Sequence, residues 1–298
     1  KKMSVKNNNQ NLTNLASPKI GTKIIEVSDD FFGEASRMLD DKEPVFIEDK
    51  YDEHGKWMDG WESKRRRDGG NDWAIIELGS PGIITEIDID TSFFTGNFPP
   101  FASIEGLYSD QKPSKDSDWI EILSKTSLKG DSGNKFKIES KTKVNYIKLQ
   151  IFPDGGVARL RLFGEVKLNW DNYDNKNDLI ELSSLKLGGS IVAYNNAHYG
   201  DVSALLSHGR GKTMGDGWET RRRREPGNDW IIIKLATKGL IKKIEIDTAH
   251  FKGNYPDQAS VQVSNFDKNK GLEELITDSH NWKYILDKSK LKADNIHN

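Results

Sequence analysis

The chain has 298 residues, 35% of them hydrophobic and 30% charged, with a formal net charge of −2 and no cysteine. That length suffices for two separate cores of about 120 to 150 residues each. The missing cysteines exclude disulfides, thiolate metal sites and a cysteine nucleophile. The negative balance argues against a nucleic-acid partner, and no apolar run reaches the roughly 18 residues that span a bilayer.

Residues 1–17 carry Asn7-Asn8-Asn9 and no apolar stretch of the kind a secretory signal needs, so they are expected to be a disordered tail. With the lack of cysteine this points to a cytoplasmic protein. A first β-sandwich is expected over 18–166. It opens with a short turn between Asp29 and Leu39 and a long surface loop around Phe46 to Lys56. Trp73 to Leu78 is continuously apolar, as a strand covered on both faces is. Ile87 and Ile89 alternate with Asp88 and Asp90, Ile147, Leu149 and Ile151 with Lys148 and Gln150, and Leu160 and Leu162 with Arg159 and Arg161. Between the last two strands lies the turn Pro153-Asp154-Gly155-Gly156. The polar stretch 167–179 reads as a linker.

A second sandwich follows over 180–298. Val202 to Ser207 suggests a turn, Trp230 to Leu235 and Ile244 to Ile246 suggest strands, and Trp282 to Leu286 answers Trp119 to Leu123. Helical periodicity is nearly absent throughout. Nothing after Leu286 answers the Pro-Asp-Gly-Gly turn, so the second sandwich is expected to lack its last two or three strands and to expose an edge.

The two halves are copies of each other. Asp59-Gly60-Trp61-Glu62-Ser63-Lys64-Arg65-Arg66-Arg67 returns as Asp216-Gly217-Trp218-Glu219-Thr220-Arg221-Arg222-Arg223-Arg224, and from Asp59 to Pro99 24 of 41 positions are identical at an offset of 157. A period that long is a domain duplication, not a short solenoid repeat. The shared positions include charged and amide side chains beside the Gly and Trp. Apolar residues exchange at similar volume for little cost, whereas a polar group fixed in a hydrogen-bonded network does not, so the duplicated polar set is the place to look for function.

Two groups stand out. Glu62 with Arg65, Arg66 and Arg67, answered by Glu219 with Arg222 and Arg223, offers planar guanidinium forks for a carboxylate, phosphate or ureido oxygen and an acceptor for N–H groups. Asp72, Asp90 and Asn97, answered by Asp229, Asp247 and Asn254, combine turn chemistry with strand-end carboxylates. His250 stands where the first copy has Phe93 and supplies one titratable group. Arg159, beside the Gly155-Gly156 turn, belongs to the first copy alone and is a candidate substrate contact. No metal-ligand spacing is present, although carboxylates and a histidine suit a divalent ion such as Mn²⁺.

The motifs Trp57-Met58-Asp59-Gly60-Trp61-Glu62-Ser63, Gly70-Asn71-Asp72-Trp73, Asp90-Thr91, Phe94-Thr95-Gly96-Asn97-Phe98-Pro99 and Pro153-Asp154-Gly155-Gly156-Val157-Ala158-Arg159 resemble the allantoicase family over both copies. The resemblance implies an all-β chain of two tandem jelly-roll, galactose-binding-like sandwiches. It also implies hydrolysis of allantoate to ureidoglycolate and urea in purine degradation. It places the substrate carboxylate on Arg66 or a neighbour, the ureido groups on Glu62 and Asn97, and proton transfer on Asp72 or Asp90. A homo-oligomer is left open. The rival is a non-catalytic tandem sandwich that binds a sugar or small ligand. Exposed aromatic loops with no perturbed carboxylate would favour that rival; a recessed pocket lined by Arg, Asp and Glu would favour the hydrolase.

Overall fold

The computed structural model describes residues 12–173, 178–266 and 269–298. Two compact units divide the chain: Asn11–Glu181 with Lys186–Gly188, and Leu182–Leu185 with Gly189–Asn298. Within the described residues, strands dominate both.

In the first unit the principal strands are β1 (Lys23–Val27), β2 (Asp72–Asp90), β3 (Phe101–Leu107), β4 (Ile120–Ser127), β5 (Gly133–Lys137), β6 (Lys143–Phe152) and β7 (Arg159–Val166). All pair antiparallel. The 19-residue β2 belongs to both layers of a sandwich. Its residues 72–77 run between β1 and β6, with β3 and β4 continuing that layer. Its residues 86–90 run between β5 and β7 in the other layer.

The crossing falls at Gly79-Ser80-Pro81-Gly82. A side chain at Gly79 would bring its Cβ to 1.9 Å from the Ile20 carbonyl oxygen, and Pro81 has no N–H to leave unpaired where the ladder breaks. The layers close on Ile76, Ile87, Ile89, Ile147, Leu149, Ile151, Leu160 and Leu162, all 0–1% exposed. Ala74, Ile75 and Ile76 are each fully buried, as a strand covered on both faces requires.

Order begins earlier than the predicted tail allowed. Thr13–Asn14 pairs with Phe163–Gly164 beside β7, Leu15 and Ala16 are fully buried, and the Asn14 side chain accepts the Leu162 N–H at 3.0 Å. Two apolar residues in a polar stretch are too few for periodicity to register. The rest of that predicted tail, residues 1–11, lies outside the described residues. The predicted linker is also not independent. Lys167 N–H donates to the Pro81 carbonyl and Trp170–Tyr173 forms a 3-10 turn; residues 174–177 of that stretch lie outside the described residues.

The second unit holds β8 (Ser190–Tyr194), β9 (Ile231–Lys234), β10 (Ile246–Asp247), β11 (Gln258–Val263), α1 (Leu272–Ser279), β12 (Lys283–Lys290) and β13 (Ile296–His297). The pairs β8–β9, β10–β13 and β11–β12 repeat β1–β2, β2–β5 and β3–β4 of the first unit. Asp294 answers Asp131, each accepting one backbone N–H across the loop. Among the described residues these pairs are separate two-stranded sheets, whereas in the first unit β6 and β7 join the corresponding strands.

Helix α1 was not predicted, because eight residues give too short a window for a 3.6-residue period. Leu275 and Ile276 pack on Val192, Ala193 and Ile232 with Trp230, Phe266 and Trp282 around them. Glu274 Oε2 accepts the Gly271 N–H at 3.1 Å, closing the N-terminus. The predicted turns appear as 3-10 helices at Ala35–Leu39 and Val202–Leu206.

Candidate active site

The duplicated motif is anchored by its tryptophan. Trp61 is fully buried, and its indole N–H donates to the Asp29 carbonyl at 2.8 Å. Trp61–Glu62 pairs with Gly156–Val157 on one side, and Glu62 exchanges backbone bonds with Gly33 on the other. Gly156 N–H in turn donates to the Asn97 carbonyl at 2.7 Å. A Cβ at Gly156 would lie 2.0 Å from the buried Phe94 ring, so only glycine lets the turn reach this loop.

With both backbones fixed, Asn97 Nδ2 donates to Glu62 Oε1 at 2.7 Å. Burial raises the Glu62 carboxyl above its ordinary value, an effect the Asn97 bond partly offsets by favouring the anion.

The arginine run follows immediately and is tied to the same turn. Ser63 and Gly155 bond each other, and Arg66 N–H donates to Asp154 Oδ2 at 2.6 Å. The Arg66 guanidinium makes four hydrogen bonds: Nε and Nη2 grip Asp68 at 3.0 and 2.7 Å, and Nη1 donates to Asp72 Oδ1 at 2.8 Å and the Asn71 carbonyl at 3.2 Å. These bonds raise the Arg66 pKa and hold the Asp68 carboxyl well below the usual carboxylate range. Asp72 is fully buried, accepts also from Ser28 Oγ at 2.8 Å, and keeps Oδ2 without a partner. Ser28, Asp29, Lys64, Arg65, Arg66, Arg67, Asp68 and Asp72 line a cleft of about 400 Å³.

The second unit repeats the pattern. Asn254 Nδ2 donates to Glu219 Oε1, again at 2.7 Å. Trp218 Nε1 donates to the Asn196 carbonyl at 2.8 Å, and Arg223 pairs with Asp229 at 2.6 Å. Arg221 to Arg224, Glu225 and Asp229 line a second cleft. Here the buried carboxylate is less enclosed, Asp229 being 17% exposed where Asp72 is 0%.

Several predicted site residues lie elsewhere. Asp90 Oδ1 caps the following turn through Ser92 N–H and Oγ at 2.8 and 2.6 Å. Asp247 does the same through the Ala249 N–H and pairs with Arg210. Neither lines either of these two clefts, and nor do Glu62, Asn97, Glu219 and Asn254. Arg159 is 1% exposed and spends its donors on the Lys42, Arg37, Asp59 and Ala158 carbonyls and on Asp59 Oδ2, so the predicted substrate contact is instead a buried strut. His250 shares the left-handed backbone of Phe93, φ 70° and 71°, and its Nε2 lies 2.7 Å from the Gly211 carbonyl.

Sequence reasoning missed Ser28, Asp29 and Asp68 as cleft residues. Ser28 and Asp29 sit upstream of any shared motif, and the second copy has Asn195 and Asn196 in their places. Among the described residues no three His, Cys, Asp or Glu side chains gather as a metal-binding group. No helix among them is long and apolar enough to cross a membrane.

Fold and site together define a duplicated β-sandwich protein whose first repeat carries a carboxylate–amide pair beside a basic cleft and whose second repeats both. The allantoicase-repeat family profile matches residues 13–167 and 180–298. The probable allantoicase 1 of Burkholderia mallei (strain ATCC 23344) is 47% identical over 285 residues, covering 95% of this chain and 84% of that protein. A probable allantoicase of Acinetobacter baylyi is 47% identical over 286 residues, with 96% and 84% covered. The crystal structure of allantoicase from Saccharomyces cerevisiae aligns with a TM-score of 0.81 at 33% identity, covering 99% of this chain and 85% of that one. The chain belongs to the allantoicase family.

Proposed function

We propose that this protein hydrolyses allantoate to ureidoglycolate and urea as a step of purine degradation. One observation carries the reading: a half-buried glutamate held by an asparagine at 2.7 Å, present in both repeats of an allantoicase-family chain. The perturbed Glu62 carboxyl favours the hydrolase over the binding-module alternative; the cleft of Arg, Lys and Asp is open rather than recessed and does not include Glu62.

The reaction replaces one ureido nitrogen on the central carbon of allantoate by a water oxygen. A carboxylate raised toward neutrality is suited to take the proton from that water and return it to the departing urea nitrogen. Glu62 takes this role in place of Asp72, which Arg66 and Ser28 occupy, and of Asp90, which caps its own turn. Asn97 orients Glu62 and supplies amide groups for the ureido function. The basic run receives the substrate carboxylate.

Incubating the purified chain with allantoate and following urea release tests the reading. Urea released by the wild type and lost in Glu62→Gln is expected. A folded wild type that releases none overturns it.

A further inference from the structure

The two arginine runs are nearly alike in sequence and differ in what the fold does with them. In the first cleft Arg66 makes four hydrogen bonds, to Asp68, Asp72 and the Asn71 carbonyl, and Lys64 Nζ lies over the Phe31 ring at 4.0 Å. In the second, among the described residues, Arg223 makes one, from Nη2 to Asp229 Oδ1 at 2.6 Å. Arg221 Nη2 reaches the exposed Glu225 at 3.5 Å. Arg222 and Arg224 are exposed, with no ion pair, hydrogen bond or ring contact.

The surrounding charge differs too. Ser28 and Asp29 are replaced by Asn195 and Asn196, and the bonds that shape the loop are kept. Ser28 Oγ accepts the Trp73 N–H and Asn195 Oδ1 the Trp230 N–H, both at 2.9 Å. Asp29 Oδ1 accepts the Lys64 N–H at 2.7 Å and Asn196 Oδ1 the Arg221 N–H at 3.0 Å. The exchange of Asp29 for Asn196 therefore deletes a negative charge and preserves the hydrogen bond. Four cations and three carboxylates line the first cleft, whereas four cations and two carboxylates line the second, which holds about 360 Å³. Guanidiniums gathered with too few counter-charges repel one another, and an anion seated among them offsets that repulsion.

We propose that the second cleft is a separate anion site whose ligand is a small doubly charged oxyanion, a phosphate or phosphate monoester. It differs in class from the singly charged acid assigned to the first repeat and does not depend on the reaction proposed there. Arg222 and Arg224 present two planar forks. Arg223, held by Asp229 through one nitrogen, adds its remaining donors. A phosphate monoester carries a charge near −2 and three strong acceptor oxygens, enough to engage all three side chains.

Calorimetric titration of the full chain with inorganic phosphate and, separately, methyl phosphate, at about pH 8 and fixed ionic strength, tests the site. Saturable binding of at least one probe is expected, with acetate at least about tenfold weaker. Arg222→Ala and Arg224→Ala are exposed positions whose folding is checked by circular dichroism. Each should weaken phosphate binding roughly tenfold or more through lost charged hydrogen bonds. Asn196→Asp keeps an acceptor for the Arg221 N–H and restores the missing charge, so it should weaken binding roughly threefold or more. Arg65→Ala and Arg67→Ala should leave phosphate binding unchanged. Tighter binding of inorganic phosphate assigns the free ion and tighter binding of methyl phosphate a monoester; either supports the site. No saturable binding of either probe, acetate bound as well as phosphate, or affinity within about twofold of wild type in both second-run Ala variants overturns the proposal.

Discussion

Replacing Arg159 with methionine separates the buried strut seen in the fold from the substrate contact expected of its motif. The guanidinium is 1% exposed and holds Asp59 Oδ2 at 2.8 Å together with four backbone carbonyls. Those carbonyls belong to the 3-10 turn at Ala35–Leu39, to Lys42, to β7's own neighbour Ala158 and to Asp59, just before the Trp61–Glu62 strand. Methionine fills the stem but supplies no donor. Asp59 Oδ2 then keeps the Val45 N–H at 3.0 Å, and the side chain is 14% exposed.

Removing one partner of a buried pair costs about 3–5 kcal/mol. For a unit of this size each kcal/mol shifts Tm by roughly 2–4 °C, so the first unit's transition should fall by roughly 6–20 °C. Differential scanning calorimetry reads this, with urea release measured well below the transition. The strut predicts a large loss of stability with KM for allantoate little changed in the folded fraction. A Tm within about 2 °C of wild type together with a raised KM would refute the reasoning and return Arg159 to the substrate.

Glu62→Gln should lower kcat by about 10²–10⁴-fold, the usual contribution of a positioned base. It should also remove a pH effect on stability. The raised pKa means that the native state holds this proton more tightly than the unfolded chain does. Stability is therefore lost as pH rises from the ordinary glutamate value through the raised one, and the Gln variant flattens that slope in denaturant titrations across acidic pH. Asn97→Ala removes the bond that lowers the Glu62 pKa, so the acidic limb of the kcat/KM profile should move to higher pH; a limb that stays in place would argue against Glu62 as the titrating base. Gly156→Ala forces a methyl group into the Phe94 ring and should cost about 1–3 kcal/mol in thermal unfolding. It should also lower urea release, since the same glycine holds the Asn97 loop.

The sequence alone determined the duplication, the β class and most strand positions; it grouped Glu62 with the arginines and Asn97 with Asp72 and Asp90, and only the fold brought Glu62 and Asn97 together. The features legible in sequence are local or repeated: alternation along Ile147-Leu149-Ile151 and identity between Glu62 and Glu219 need no partner to be visible. Thr13 to Ala16 were misread because their order depends on β7, about 150 residues downstream. The fates of the arginines were equally hidden. Arg65, Arg66, Arg67 and Arg159 have the same side chain and the same chemistry in sequence. Which of them binds Asp72, which is buried against Asp59 and which stays free depends on carboxylates and carbonyls brought beside them by distant strands. A guanidinium's role is set by the partners that satisfy its five donors, and those partners are assembled only by tertiary structure.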